Sequence, residues 1–406
     1  MVTVPVRSGA LEWIHVDCPL CGADDAEPVY ERDHETGSTL GRLRKIDVLC
    51  RRCGFMYTDP RPSAADMRRY YAEASGASGS VFHAMEPGSR LRGLIEERAA
   101  FMQPLVASHF GSGPGAILDI GCATGDLLEH LDLPEWHKAG LEPSARASAT
   151  ARTRGLEVEC GDLESTSLPD RSFDVITCIS VLEHVHDLRA SVGRIRQSLR
   201  PGGLAFVEVP DSTRPVAQIA EFFSFEHLSH FTRGTLVRCL AEAGLEAIAF
   251  DEQVGLPNLR VCARRSEQIP AKAAFGTDDA EALRRAIARY RRQREAFAET
   301  LTRRLNDRVD RWATRDARVA VYGAGMHTRF LMEVVDLGRS VTCLLDSDPR
   351  KAGSSFLGWR VFGPDDIPRL GLDAILISTN AFEEEVYSAI APTARAHAIE
   401  VVRCYG

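Results

Sequence analysis

No run of 18 consecutive apolar residues occurs in this 406-residue chain, and no short apolar segment near its start has the form of a secretion signal. Those absences predict a cytoplasmic protein with no membrane span. Positive charge is not in excess either. The 49 Lys and Arg stand against 57 Asp and Glu, a net charge of −8, so the overall footprint of a nucleic-acid binder is missing. An odd number of cysteines, 11, with no export signal argues for a reducing compartment rather than a disulfide framework. The length exceeds one ordinary hydrophobic core, so two or three domains are expected.

What is present is organised around glycine turns. The apolar run Ile117-Leu118-Asp119-Ile120 leads into Gly121-Cys122-Ala123-Thr124-Gly125-Asp126. A buried strand that breaks into such a turn and then a helix brings bare backbone near a ligand, because glycine has no Cβ. Gly140-Leu141-Glu142-Pro143-Ser144 adds a second acid about 20 residues on, the offset at which nucleotide-binding α/β units hold a ribose diol. Gly161-Asp162-Leu163, Ser172 to Cys178 and Leu199-Arg200-Pro201-Gly202-Gly203 follow in order. A dinucleotide site would want Gly-x-Gly-x-x-Gly, and the first two glycines here are too far apart for that.

This ordered set, from Gly115 to Ala263, resembles the class I S-adenosylmethionine (SAM) methyltransferases. The fold expected is α/β, with a Rossmann-like sheet and SAM as cofactor. Asp119 would accept from the amino group of the methionine part, and Gly121 and Gly125 would admit that part and the ribose. Glu142 has two oxygens for the two ribose hydroxyls, in charge-assisted bonds. Asp162 stands where the family contacts the adenine amine, and Ser180, after the fourth strand, completes the expected cofactor set.

Four cysteines are organised. Cys18-Pro19-Leu20-Cys21-Gly22 and Cys50-Arg51-Arg52-Cys53-Gly54 are two Cys-x-x-Cys-Gly knuckles. Each puts two thiolates on one tight turn, and together they make a four-sulfur site for structural Zn2+. With four protein ligands the metal keeps no open position, so it folds a small module and is not the catalyst. The charged spacer Glu31 to Lys45 reads as a hairpin. The other cysteines, among them Cys122, Cys160, Cys178 and Cys343, read as small core residues. Ser63 reads as the N-cap of a helix from Ala64 to Ala74 that carries Tyr70 and Tyr71. Gly76 to Gly79 reads as a flexible loop, either a lid or a linker.

Two segments offer bases for activating a methyl acceptor. Glu183, His184 and His186 follow the fourth strand, His186 as an ordinary polar residue. The aromatic stretch Phe222 to Thr232 holds Glu226, His227 and His230, and Thr232 caps a helix from Gly234 to Ala243. Histidine can take a proton at neutral pH. Glu226 could orient His227 or raise its basicity; alternatively, His227 and His230 could bridge backbone groups and hold the loop. The order of cysteine quartet, SAM domain, Glu-His segment and C-terminal α/β domain looks like the deoxysugar C-methyltransferases. That resemblance implies a nucleotide-linked keto sugar, deprotonated beside its carbonyl and methylated at carbon. It places Glu226, His227 and His184 at the substrate. The family's tyrosine three residues before that histidine is Ser224 here. The stretch after Cys53 looks more like a broader bacterial group of zinc-knuckle methyltransferases with varied acceptors.

The apolar stripe Leu283, Ile287, Tyr290, Phe297, Leu301, Leu305, Val309 and Trp312 predicts a long helix or helical pair, packed on another domain or on a dimer partner. A second α/β unit starts at Arg318. Gly323, Gly325 and Asp346 sit suggestively for NAD, yet Thr328 replaces the third glycine. The Gly323 turn could hold the acceptor's phosphate, or the unit could be structural. The organisation expected is a zinc-binding module over 1–75, a SAM-dependent methyltransferase domain over 76–265, a helical linker over 266–316 and a Rossmann-like α/β domain over 317–406. The acceptor would bind where these parts meet. The function expected is SAM-dependent C-methylation of a nucleotide-linked keto-deoxysugar, as in antibiotic biosynthesis, with His227 as base. The alternative is O- or N-methylation of another natural-product or cell-surface sugar intermediate. No nucleic-acid or membrane partner is expected, and the chain would be a monomer or homodimer.

Overall fold

The computed structural model describes residues 11–35, 42–77, 90–217, 222–252, 255, 257–267, 278–337, 340–349, 351–379 and 382–405. The chain divides into two compact units, Met1–Pro215 with Ser224–Ile287, and Val216–Phe223 with Ala288–Gly406.

The first unit opens with strand β1 (Trp13–Ile14) and the first cysteine knuckle. Strands β2 (Ala26–Glu35) and β3 (Arg42–Cys50) then pair antiparallel, from Ala26↔Cys50 to Glu35↔Arg42, which is the hairpin expected of the charged spacer. β4 (Met56–Thr58) pairs with β3, and β5 (Arg61–Pro62) with β1. Helix α1 (Ala64–Ala77) starts at Ser63, whose Oγ accepts from the Asp66 amide at 3.2 Å. It runs past Ala74, so Gly76 is helical; residues 78–79 of the expected loop lie outside the described residues. α2 (Arg90–Phe110) precedes the central sheet.

That sheet is built from β6 (Ala116–Ile120), α3 (Asp126–His130), β7 (His137–Glu142), α4 (Ala145–Thr153), β8 (Glu157–Cys160), β9 (Phe173–Ile179), α5 (Leu188–Ser198) and β10 (Leu199–Pro210). After β11 (Ser229–His230) come α6 (Arg233–Glu242), β12 (Leu245–Phe250) and β13 (Asn258–Arg265). The strand order is β12-β13-β10-β9-β6-β7-β8, parallel except that β13 runs antiparallel to both its neighbours. Successive residues of a strand face opposite sides. Ile117 and Val175 therefore pack with Ile95, Met102 and Val106 of α2, while Leu118 and Ile176 pack with the α5 and α6 leucines and with Leu20, Phe55 and Tyr57 of the cysteine module. β11 leaves this sheet and joins the module, giving a second sheet in the order β11-β4-β3-β2.

One cysteine departs from the sequence reading. Cys122, Cys178 and Cys343 are buried, but Cys160 is exposed, because β8 is the edge strand and its outer face meets solvent. The stripe near the C-terminal third forms a single helix, α7 (Asp278–Thr314), rather than a pair. Leu283 and Ile287 are buried in the first unit, and Leu301, Leu305 and Trp312 in the core of the second.

The second unit contains β14 (Val319–Tyr322), α8 (Met326–Val334), β15 (Val341–Leu345), β16 (Ser355–Phe356), β17 (Trp359–Phe362), β18 (Ala374–Ile377), α9 (Glu383–Ala396) and β19 (Glu400–Arg403). Its sheet order is β16-β17-β15-β14-β18-β19, parallel but for β16. No helix among the described residues is long and apolar enough to cross a membrane.

Candidate active site

β6 and β9 are adjacent parallel strands whose chains continue to opposite sides, so a crevice opens at their C-terminal ends. The turn after β6 needs its glycines: Gly121 and Gly125 have φ of 77° and 84°, the left-handed region that other residues avoid. Ala123 and Ser180 also take positive φ, 49° and 54°, and they flank the same crevice. Non-glycine residues in this region are uncommon and gather at functional sites.

Asp119 is buried at the end of β6 and accepts from Thr177 Oγ1 at 2.5 Å. Burial raises its pKa to about 7; the Thr177 bond and the charge of Arg98 oppose that rise. A buried carboxyl poised at neutrality suits a ligand that brings a cation, which would hold it ionised. Glu142, at the end of β7, accepts from the Ala123 amide at 3.0 Å and the Ser144 amide at 2.8 Å, one on each oxygen. A carboxylate offers about four acceptor positions, so two remain for a diol. Burial raises the Glu142 pKa against those two bonds. Asp162 holds its own turn, accepting from the Glu164 and Ser165 amides at 2.9 and 2.8 Å.

Arg98 of α2 was not legible as a site residue. Its Nε and Nη2 donate to Glu208 of β10 at 3.1 and 2.7 Å, and its charge is felt by Asp119. Nη1 carries no hydrogen bond among the described residues. Glu208 is also held by Arg260 and Asn258; burial opposes its ionisation, but the arginines prevail and its pKa is lowered.

Beyond Ser180, the chain turns through Glu183 and His184 and meets the loop before β11. His184 Nδ1 lies 3.0 Å from the Glu226 carbonyl oxygen and 3.2 Å from the Tyr71 hydroxyl. A carbonyl only accepts, so Nδ1 carries a proton, and Nε2 lies 3.8 Å from Glu183 Oε1. The His184 and His227 rings are 5.0 Å apart, edge to face. The Glu226 carboxylate accepts from Tyr70 at 2.7 Å. Glu226 thus meets His184 through its main chain and Tyr70 through its side chain. Glu183 is buried, which raises its pKa, and its Oε2 has no partner among the described residues. His186 bonds the Pro62 carbonyl at 3.0 Å, as an ordinary structural histidine would. His230 is buried against Asp47 and Lys45, at 3.0 and 3.3 Å.

Cys18, Cys21, Cys50 and Cys53 bring four sulfurs within 4.8 Å of one another, with Cys18–Cys53 and Cys21–Cys50 both at 3.5 Å. Tetrahedral zinc with bonds near 2.3 Å would set sulfurs about 3.8 Å apart, so the group fits. Gly22 and Gly54 have φ of 71° and 70°, and each donates to the carbonyl of the first cysteine of its knuckle. Among the described residues, Glu183, His184 and His227 are the other group that could hold a cation, with ligand atoms also within 4.8 Å.

A methyltransferase-domain family profile matches residues 94–249, and one described as C2185-like, N-terminal, matches 315–394. The ubiquinone biosynthesis O-methyltransferase of Chelativorans sp. (strain BNC1) is 32% identical over 173 residues, which are 36% of this chain and 68% of that protein. The chain belongs to the class I SAM-dependent methyltransferases. The protein of the same name from Sinorhizobium medicae is 31% identical to this methyltransferase over 34% of the chain and 61% of its own length. A SAM-dependent methyltransferase structure from Mesorhizobium loti covers 42% of this chain and 100% of its own, at 22% identity and a TM-score of 0.34.

The methyltransferase's second glycine turn is closed by its own side chains. Asp346 accepts from the Ala324 amide at 2.8 Å and from Lys351 Nζ at 2.9 Å, and the same Nζ donates to the Ala324 carbonyl at 3.0 Å. Thr328, in place of the third glycine, bonds Gly323 O and Ser378 Oγ across the turn.

Proposed function

We propose that this enzyme transfers a methyl group from SAM to a carbon beside the carbonyl of a nucleotide-linked keto-deoxysugar, with His227 as base. The observation that carries the reading is the paired His184 and His227 at the crevice mouth, next to the turn that would hold the donor. In the cleft, Asp119 takes the donor's amino group, Arg98 Nη1 its carboxylate, and Glu142 the ribose hydroxyls. Gly121, Gly125 and Ser180 shape the pocket, and Asp162 lies at the adenine. Bound, SAM supplies a methyl made electrophilic by its sulfonium.

His227 removes the proton alpha to the acceptor carbonyl, and the electrons of that C–H bond form the new C–C bond to the methyl group, whose bond to sulfur would break with its electron pair left on the demethylated donor, a neutral thioether. The proton on His227 then passes to solvent. His184, its proton fixed on Nδ1, presents Nε2 to the acceptor and accepts a hydrogen bond there. In-line placement and a base are what methyl transfer to a weak carbon nucleophile requires. The cysteine quartet holds a structural zinc.

A second reading, O-methylation, is favoured by the relatives named ubiquinone biosynthesis O-methyltransferase. Transfer of a 13C-labelled methyl group, followed by NMR of the product, separates them. A carbon-bound methyl and a loss of about 10²- to 10⁴-fold in rate for His227→Ala support C-methylation. An oxygen-bound methyl, or a variant at the wild-type rate, defeats it.

A further inference from the structure

The loop that carries Glu226 and His227 is part of the cysteine module's architecture. Its continuation, β11, pairs antiparallel with β4, Ser229 opposite Tyr57 and His230 opposite Met56. Three successive attachments hold the loop's carbonyls from the module side. Lys45 Nζ donates to Ser224 O at 2.8 Å, the Thr58 hydroxyl shares its one proton between Asp47 Oδ1 and His227 O, the latter at 3.1 Å, and the Thr58 amide donates to Leu228 O at 3.0 Å. From the other side, the Leu228 and Ser229 amides donate to Glu183 O at 2.7 and 3.1 Å. His227 sits between these two sets of bonds, one from the module and one from the turn that carries His184.

Beneath the loop lies an ion pair that a small module has little reason to bury. Lys45 and Asp47 alternate on β3 and so share one face. They are 2% and 0% exposed, with Nζ 3.1 Å from Oδ1. Oδ1 also accepts from Thr58 Oγ1 at 2.7 Å and lies 3.0 Å from His230 Nε2. Oδ2 has no partner among the described residues. Taking two charges out of water is costly, and apolar residues of similar volume often serve stability as well or better. The contacts of this pair run to Ser224, Thr58 and His230, which bracket His227.

We infer that Lys45 and Asp47 are positioning residues: through Ser224 O, Thr58 and His230 they set His227 against His184. The inference rests on the reading of His227 as the acceptor's base. It gives the cysteine module a part in the reaction without any contact between its metal and the substrate. A displacement of about 1 Å at such a site costs on the order of 10²-fold in rate.

The test uses the full-length, zinc-loaded protein with Lys45→Met, Asp47→Asn and the double variant. The double variant removes both charges at once and keeps the fold if either single variant fails to fold. Amide hydrogen exchange over residues 224–230 is followed by mass spectrometry, SAM affinity by calorimetry, and turnover with a dTDP-linked keto-deoxysugar. Exchange over that loop is expected to rise about tenfold while β6 and β9 keep their protection. The kcat falls about 10²-fold, while KM and SAM affinity stay within about twofold and the zinc stays bound. A merely structural fault would move all of these together. Wild-type loop exchange and wild-type kcat in the double variant would overturn the inference. If the wild-type protein itself fails to turn over the sugar, the functional reading falls, and loop exchange still decides the positioning.

Discussion

Two glycine turns in this molecule look alike as sequence and differ as chemistry. In both, an acid at the end of the next strand accepts from an amide of the turn: Glu142 from Ala123, and Asp346 from Ala324. Among the described residues Glu142 has only amide donors, and the crevice beside it holds a second buried acid, Asp119. Asp346 is neutralised by Lys351, which also ties back the Ala324 carbonyl. Gly125 packs under Leu156 and puts no side chain across the first turn, whereas Thr328 and Ser378 bond to each other across the second. A glycine turn marks where a ligand could approach, but the charge left on its acid decides whether one is wanted.

The largest effect that would break this comparison is loss of donor binding on changing the first turn alone. Asp119→Asn or Glu142→Ala should weaken SAM about 10²-fold in calorimetry, since a hydrogen bond to a charged group is worth about 1.5–3 kcal/mol. Asp346→Ala should leave SAM affinity at the wild-type value. Equal losses from both turns would erase the distinction.

Proton linkage gives the next effect. Asp119 keeps its proton up to about pH 7 in the ligand-free protein. A cationic amino group favours the ionised form, so SAM affinity should fall about tenfold per pH unit below 7 and level off above it. Asp119→Asn should flatten that profile. The same carboxyl releases its proton near pH 3.9 when unfolded. Between the two values the folded state binds more protons, so this group's contribution to stability is lost as pH rises towards 7. Ligand-free Asp119→Asn should therefore melt higher than wild type at pH 8 in scanning calorimetry.

Arg98→Ala should cost less, about tenfold in SAM affinity, as one charge-assisted bond is removed and Glu208 keeps Arg260. Wild-type affinity in that variant would place the donor's carboxylate elsewhere. Metal analysis should return about one zinc per chain, bound by the cysteine quartet. A second equivalent lost in His184→Ala would put a cation on Glu183, His184 and His227, and remove His227 as a base. The smallest effect expected is that Lys351→Ala, which frees Asp346, still gives no measurable NAD binding, because Thr328 continues to fill the turn.

The first turn was readable because its signals are local. Asp119, Gly121, Gly125 and Glu142 lie within about one βαβ unit, and their spacing is fixed by strand and turn geometry. The knuckles and helix caps at Ser63 and Thr232 were readable for the same reason. Arg98 was not, because its partner Glu208 is 110 residues away and nothing in α2 marks it. Tyr71 was seen only as an aromatic on a helix; its contact with His184 arises from packing across 113 residues. Lys45 was read only as the end of the charged hairpin spacer, and Asp47 was not singled out. Their burial follows from β11 joining the module's sheet, a pairing that two residues of strand could not announce.

Side-by-side calorimetric titration of SAM and NAD into the wild-type protein at pH 8 tests the comparison most directly. One SAM site per chain with no detectable heat from NAD is the outcome that the two turns predict. Saturable NAD binding abolished by Asp346→Ala, or no binding of SAM at all, would contradict it.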